Sequence, residues 1–297
     1  MLRFIVVLAG TLLIAPAAHA ATVSSVSDPA GHATITYNAH SGEANDLNVG
    51  FTGGTVFTDA GASITAGPGC TASANGAVCP ANPELIDVLL RNRDDRASII
   101  GYPQVQNIHL SAGAGDDNAT GVAVIDVLLE GDAGDDVLEA ESDVTATTDG
   151  GSGDDTLTVF PFLATGRAIG GSGSDQLYFK AAGPGPSLAD LDGGNGADLL
   201  VAQPAGAAGS TLDGGAGNDV IAIDDGDPRG GTGFAVTGGA GADTIEGGPL
   251  ADTIDAGPGR DVIDVRNGGA DTVVCGDGID VVLHDASDTI AADCETS

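Results

Sequence analysis

Aliphatic residues return along this chain at a constant distance from an aspartate. Leu138, Leu157, Leu177, Leu200, Ile221, Ile245, Ile254, Ile263, Val273 and Val282 each stand two places after an Asp. Residues two apart face the same side of an extended strand, so each Asp closes a loop that hands over directly to an inward-pointing residue. From Asp117 through Asp136, Asp155, Asp175, Asp198 and Asp219 to Asp243 the steps are 19, 19, 20, 23, 21 and 24 residues; they then fall to 9, 9, 10 and 9 for Asp252, Asp261, Asp271 and Asp280. One arrangement explains both intervals. Two nine-residue phrases make one turn of a solenoid, each supplying a loop and a strand. In the tail both loops of a turn keep the phrase, whereas in the middle one half-turn has drifted, as at residues 140–149. The pattern predicts an all-β fold, a right-handed parallel β-roll or β-helix solenoid, whose well-formed middle loops stack along one edge.

Upstream the pattern is different. Ala33-Thr34-Ile35-Thr36-Tyr37 and Leu47-Asn48-Val49-Gly50-Phe51 alternate as short strands, and only four acidic residues (Asp28, Glu43, Asp46, Asp59) precede Glu84. We therefore expect a small N-terminal β cap at residues 21–83 and the repeat region at residues 84–297. Composition supports a solenoid. The 297 residues include 48 Gly, no Trp and few aromatics, too few large side chains for a thick globular core but enough aliphatics for a thin ladder between turns. With 43 acidic against 9 basic residues the formal charge is -34, which argues against nucleic acid or an anionic membrane and makes cations the natural partner.

The full phrase is Gly-Gly-x-Gly-x-Asp-x-aliphatic-x, as in Gly150-Gly151-Ser152-Gly153-Asp154-Asp155-Thr156-Leu157-Thr158 and Gly214-Gly215-Ala216-Gly217-Asn218-Asp219-Val220-Ile221-Ala222. Glycine at positions one, two and four fits a tight loop that needs positive φ or the absence of a β-carbon. Converging backbone carbonyls and an Asp carboxylate are hard oxygen donors in a flexible geometry, which suits calcium better than magnesium. A single such loop is most simply a solvated turn. Stacked at the strand spacing of about 4.8 Å, however, identical loops set like charges in rows that repel unless a cation lies among them.

Across residues 84–282 the chain resembles the hemolysin-type calcium-binding repeats, the RTX family of β-rolls. The likeness is carried by eight units that begin at Gly131, Gly150, Gly170, Gly193, Gly214, Gly238, Gly247 and Ala256. It implies several calcium ions, each held between loops of successive turns. The implied ligands are the carboxylates of Asp136, Asp155, Asp175, Asp198, Asp219, Asp243, Asp252 and Asp261, together with loop backbone at Gly150, Gly170, Gly193, Gly214 and Gly238. Arg91-Asn92-Arg93-Asp94-Asp95-Arg96 reads as a degraded repeat with Asp95 at position six and no glycine; it is either a place where arginine replaces a metal or a plain capping turn.

Residues 1–20 read as a cleavable secretory signal: Arg3, an apolar run from Phe4 to Ile14, and Ala18-His19-Ala20 as the cleavage site. The mature chain would begin at Ala21 outside the cell, without membrane insertion. The cysteines form two sequence-local pairs, Cys70 with Cys79 and Cys275 with Cys294, which in an oxidising compartment read as disulfides; zinc is the alternative, against which stands the lack of any CxxC spacing. No hydrolase, kinase or dinucleotide fingerprint occurs. Residues 225–230 imitate the start of an EF-hand loop, but Arg229 stands at a ligand position. The expected function is a secreted, non-enzymatic calcium-binding repeat protein that folds on binding its ions. The alternatives are a polysaccharide-active enzyme on a β-helix and an adhesion or surface-layer module with a protein or polysaccharide partner.

Overall fold

The computed structural model describes residues 20–163, 165–181, 183, 187–203, 209–224 and 233–295. The signal segment up to residue 19 and the EF-hand-like stretch at residues 225–230 lie outside them. The described residues contain strands and no helix, and so no helix long and apolar enough to cross a membrane.

Two sheets of 14 strands run the length of the molecule. From Leu85–Leu89 onward, successive strands alternate between them. The first sheet holds, among others, Thr145–Ser152, Thr165–Ser172, Leu188–Asn195 and Thr211–Ala216, while the second holds Thr156–Pro161, Gln176–Phe179, Leu199–Ala202 and Val220–Ile223. Every pairing between neighbouring turns in this region is parallel, with one turn made of one strand from each sheet. The chain is a parallel β-solenoid, and two phrases per turn account for both sequence intervals.

The aliphatic ladder is the core. Leu138, Leu157, Leu177, Leu200, Ile221, Ile245, Ile263 and Val282 stand in strict register on the second sheet and are at most 1 % exposed. Ile254 and Val273 belong to the first sheet, where they stack with Val236 and Ile290. The tail thus presents the phrase on both sides, as its nine-residue steps require. In the middle turns both sheets feed the core: the second supplies Leu157, Val159, Leu177, Phe179, Leu200 and Ala202, the first Ala146, Ala168, Ala189, Leu191 and Leu212. Each large aliphatic so buried contributes roughly 1.5–3 kcal/mol against chain entropy.

The N-terminal strands enter the same two sheets. Ala33–Asn38 pairs parallel with Leu85–Leu89, and Asp46–Gly50 pairs parallel with Arg96–Ile100. Beyond them the pairing turns antiparallel, Ala21–Ser27 on Ala33–Asn38 and Thr55–Asp59 on Asp46–Gly50. Tyr37 and Phe57 stack here inside the end of the core. Both disulfides form within their sequence-local pairs, Cys70 with Cys79 and Cys275 with Cys294.

Candidate metal centre

Where the chain passes from the first sheet to the second it makes the same loop at each turn. Position two of the phrase has a left-handed backbone, φ 96° at Gly151, and position four another, φ 133° at Gly153. A β-carbon on Gly153 would also lie 2.0 Å from the Gly134 carbonyl oxygen of the turn before. Glycine is therefore demanded twice over, by backbone conformation and by close stacking. Arg91 and Arg93 stand at positions two and four of the degraded repeat and keep the left-handed conformation, with φ 85° and 91°. That segment is a complete loop without its glycines.

The position-six aspartates form a continuous buried row along this edge. The backbone N–H of Asp117 donates to Asp136 Oδ1, that of Asp136 to Asp155 Oδ1, and that of Asp155 to Asp175 Oδ1, each at 2.8 Å. The row continues through Asp198, Asp219, Asp243, Asp261 and Asp280. Asn45 donates to Asp95 at one end, and Glu295 accepts from Asp280 at the other. These aspartates are at most 2 % exposed.

One carboxylate oxygen of each is thus engaged. The other, Oδ2, is buried without a hydrogen-bond partner in Asp95, Asp117, Asp136, Asp155, Asp175, Asp198, Asp219, Asp243, Asp261 and Asp280. A buried acceptor left unpaired costs about 1–3 kcal/mol, and a charged one more. Burial pushes the carboxyls of Asp136, Asp155 and Asp219 up to about 6, and those of Asp117 and Asp175 to about 7, against the lowering effect of the ladder hydrogen bond; neighbouring carboxylates add to the rise. A row this demanding calls for positive charge. The nine basic residues of the chain are too few to supply it.

The surroundings of Oδ2 fit a hard cation. A β-carbon on Gly170 would lie 2.4 Å from Asp175 Oδ2 and 2.5 Å from the Gly193 carbonyl oxygen of the next turn. The same convergence recurs at Gly131, Gly193, Gly214 and Gly238, and at Gly150 the Asp155 Oδ2 lies 2.2 Å away. Position-one glycine, whose φ is ordinary, is there because Oδ2 crowds the place that a β-carbon would take. Among the described residues no three His, Cys, Asp or Glu side chains gather as a metal cluster. Backbone carbonyls must then supply most of the ligands, a donor set of oxygens alone that suits calcium.

A second ladder runs outside the first. The backbone N–H groups of Asp135, Asp154 and Ser174 donate to Oδ1 of Asp116, Asp135 and Asp154, the position-five residues of the turns before. These acids are exposed. They add negative charge beside the row without being buried in it.

The structure gathers Asp136, Asp155, Asp175, Asp198, Asp219, Asp243 and Asp261 in the row, with Gly150, Gly170, Gly193, Gly214 and Gly238 at position one of its loops. Asp252 lies on the opposite edge. There its Oδ1 accepts from Phe234 N–H and its Oδ2 from Gly248 N–H, and its own N–H donates to Asp271. A short ladder, Asp252 to Asp271 to Asp288, marks that edge in the tail. The sequence pattern missed Asn45, Asp288 and Glu295 because no phrase surrounds them. The one available signal was distance: Asp288 follows Asp271 by 17 residues and Glu295 follows Asp280 by 15, each close to one turn.

A family model, the RTX calcium-binding nonapeptide repeat, matches residues 205–227, 237–269 and 251–282. No curated protein and no solved structure is significantly similar to the chain. The repeating loop, the solenoid it builds and this match agree: the chain carries RTX calcium-binding nonapeptide repeats.

Proposed function

We propose that this is a secreted, non-enzymatic calcium-binding protein whose solenoid folds as several calcium ions enter the row of stacked loops. The observation that carries the reading is the buried, unpartnered Oδ2 of successive position-six aspartates, beside which a carbonyl oxygen of the next turn lies in the loops of Gly131, Gly170, Gly193, Gly214 and Gly238. Asp136, Asp155, Asp175, Asp198, Asp219 and Asp243 would be the carboxylate ligands, with the carbonyls of position-one residues beside them. Bound calcium supplies positive charge that offsets both the row's repulsion and the desolvation of its oxygens. The chain's part is to hold Oδ1 in the ladder, to aim Oδ2 at the shared space, and to keep that space free of β-carbons. Two disulfides fit an oxidising compartment, and extracellular calcium modules bind in the range of about 10⁻⁴ to 10⁻³ M. The antiparallel N-terminal strands would cap one apolar end of the core.

Circular dichroism of the full chain in chelator and in millimolar calcium tests the proposal. We expect the β spectrum to develop with calcium, because a ligand bound only by the folded state stabilises it by mass action. A spectrum and thermal midpoint that calcium leaves unchanged would overturn it.

A further inference from the structure

The row of loops is not uniform at position one. From Gly131 to Gly238 six consecutive loops place glycine there, and the space beside each receives Oδ2 of its own aspartate. The two loops before them carry Leu90 and Ala112 at this position, and the two after them Ala256 and Cys275. All four side chains are buried, at most 1 % exposed. In these end loops a β-carbon occupies the point toward which Oδ2 and the next carbonyl converge in the middle. The same atoms cannot share it, since in the middle loops those oxygens lie 2.2–2.8 Å from the β-carbon position, closer than non-bonded contact allows.

The end loops have other ties. The Arg91 guanidinium donates to the Ala39 carbonyl and to Asn38 Oδ1, fastening the first loop to the N-terminal strands. At the far end, position one is itself half of the Cys275–Cys294 disulfide. On the opposite edge Asp252 Oδ2 is already engaged by Gly248 N–H, and a β-carbon on Gly247 would meet the Asn267 side chain at 2.8 Å.

Resting on the calcium reading above, we propose that calcium is confined to the six glycine-fronted loops from Gly131 to Gly238, and that Leu90, Ala112, Ala256 and Cys275 close the row at its two ends. The ion column is then a closed segment in the middle of the solenoid. On this proposal Asp261, whose Oδ2 is buried and unpartnered like those of the middle loops, is kept from the ions by the Ala256 methyl group alone, whereas Asp252 Oδ2 is already taken by Gly248 N–H.

The test is the number of calcium ions bound by the full-length protein, read by native mass spectrometry and by equilibrium dialysis with calcium alone. Asp198→Asn removes a charge from an open loop but keeps Oδ1 for the ladder; it should lower the count by at least one. Asp117→Asn and Asp261→Asn make the same change in closed loops and should leave the count at the wild-type value, at most six. Ala256→Gly removes no carboxylate and opens one loop, so it should raise the count by one; this variant keeps the test decisive should an aspartate variant fail to fold. Loss of an ion in Asp117→Asn or Asp261→Asn, or no gain in Ala256→Gly, overturns the confinement while leaving calcium binding intact. A wild-type chain that binds no calcium overturns both readings.

Discussion

Along the first edge the chain crosses between sheets in three residues at every turn from Ala114 to Thr244: first-sheet strands end at Ser152, Ser172, Asn195, Ala216 and Ala240, and second-sheet strands resume at Thr156, Gln176, Leu199, Val220 and Thr244. Along the second edge the return varies widely. Strands end at Pro161, Phe179, Ala202 and Ile223 and resume at Thr165, Leu188, Thr211 and Ala235. All the irregularity of the 19- to 24-residue turns is therefore absorbed on one side. The comparison separates two kinds of connection. A second-edge loop need only return the chain to register, and lengthening such a loop is cheap. A first-edge loop must also deliver one N–H and one carboxylate to the row, and both neighbouring turns depend on where it puts them.

The largest effect should come from charge on the first edge. Its buried carboxyls have folded-state pKa values raised to about 6–7 from an ordinary 3.8. Without calcium, the folded chain keeps protons that the unfolded chain releases between about pH 4 and 7. Its stability is then full below pH 4 and is lost as pH rises through the folded values. Calcium needs the ionised carboxylates, so its contribution grows over the same range. Thermal unfolding in chelator should show a higher midpoint at pH 5 than at pH 7.5, and millimolar calcium should raise the pH 7.5 midpoint most. A calcium-free midpoint that climbs with pH would contradict this account of the row.

Next in size is the disulfide at the end of the first edge. Cys275 and Cys294 are 19 residues apart, and closing such a loop restricts the unfolded chain by roughly 3 kcal/mol. Replacing both with Ser should reduce hydrogen-exchange protection after Asp271, the stretch that this disulfide ties to the row. The turns from Asp136 to Asp219 should keep theirs. Uniform loss along the chain would mean that the tail is not a separate weak point.

The smallest effect bears most directly on the difference between the edges. Adding three glycines between Phe162 and Leu163, on the second edge, should cost no more than about 0.6 kcal/mol, the loop-entropy price of roughly doubling a short connection. The same insertion between Gly153 and Asp155 should cost several times that, because it pulls Asp155 out of its bonds to Asp136 and Asp175. Equal shifts in the urea midpoint for the two insertions would erase the distinction.

The fold was legible in advance because a solenoid is a local rule applied repeatedly. Fixed spacing between Asp and aliphatic residue gave the strand direction, and the change from about 19-residue to nine-residue steps told which half-turns had drifted. The conserved geometry of positions two and four also followed, since only glycine meets that backbone cheaply, although Arg91 and Arg93 show that stacking can impose it on other residues. Other features depended on neighbours that a repeat pattern does not name. Which carboxylate oxygen is engaged and which is left over is decided by the N–H of a residue about one turn away. Asp252 and Asp261 differ because they fall on opposite edges: the Asp252 carboxylate accepts from Phe234 and Gly248, whereas Asp261 joins the row and keeps Oδ2 unpaired. Asn45, Asp288 and Glu295 join the ladders solely because the turns stack in register. The amino-acid sequence by itself determined the loop, the ladder residue and the period, which are set by short-range stereochemistry. Only the tertiary structure decided which residues outside the phrase join the ladders and which oxygens remain unpaired, because these are properties of atoms from different turns brought within hydrogen-bonding distance.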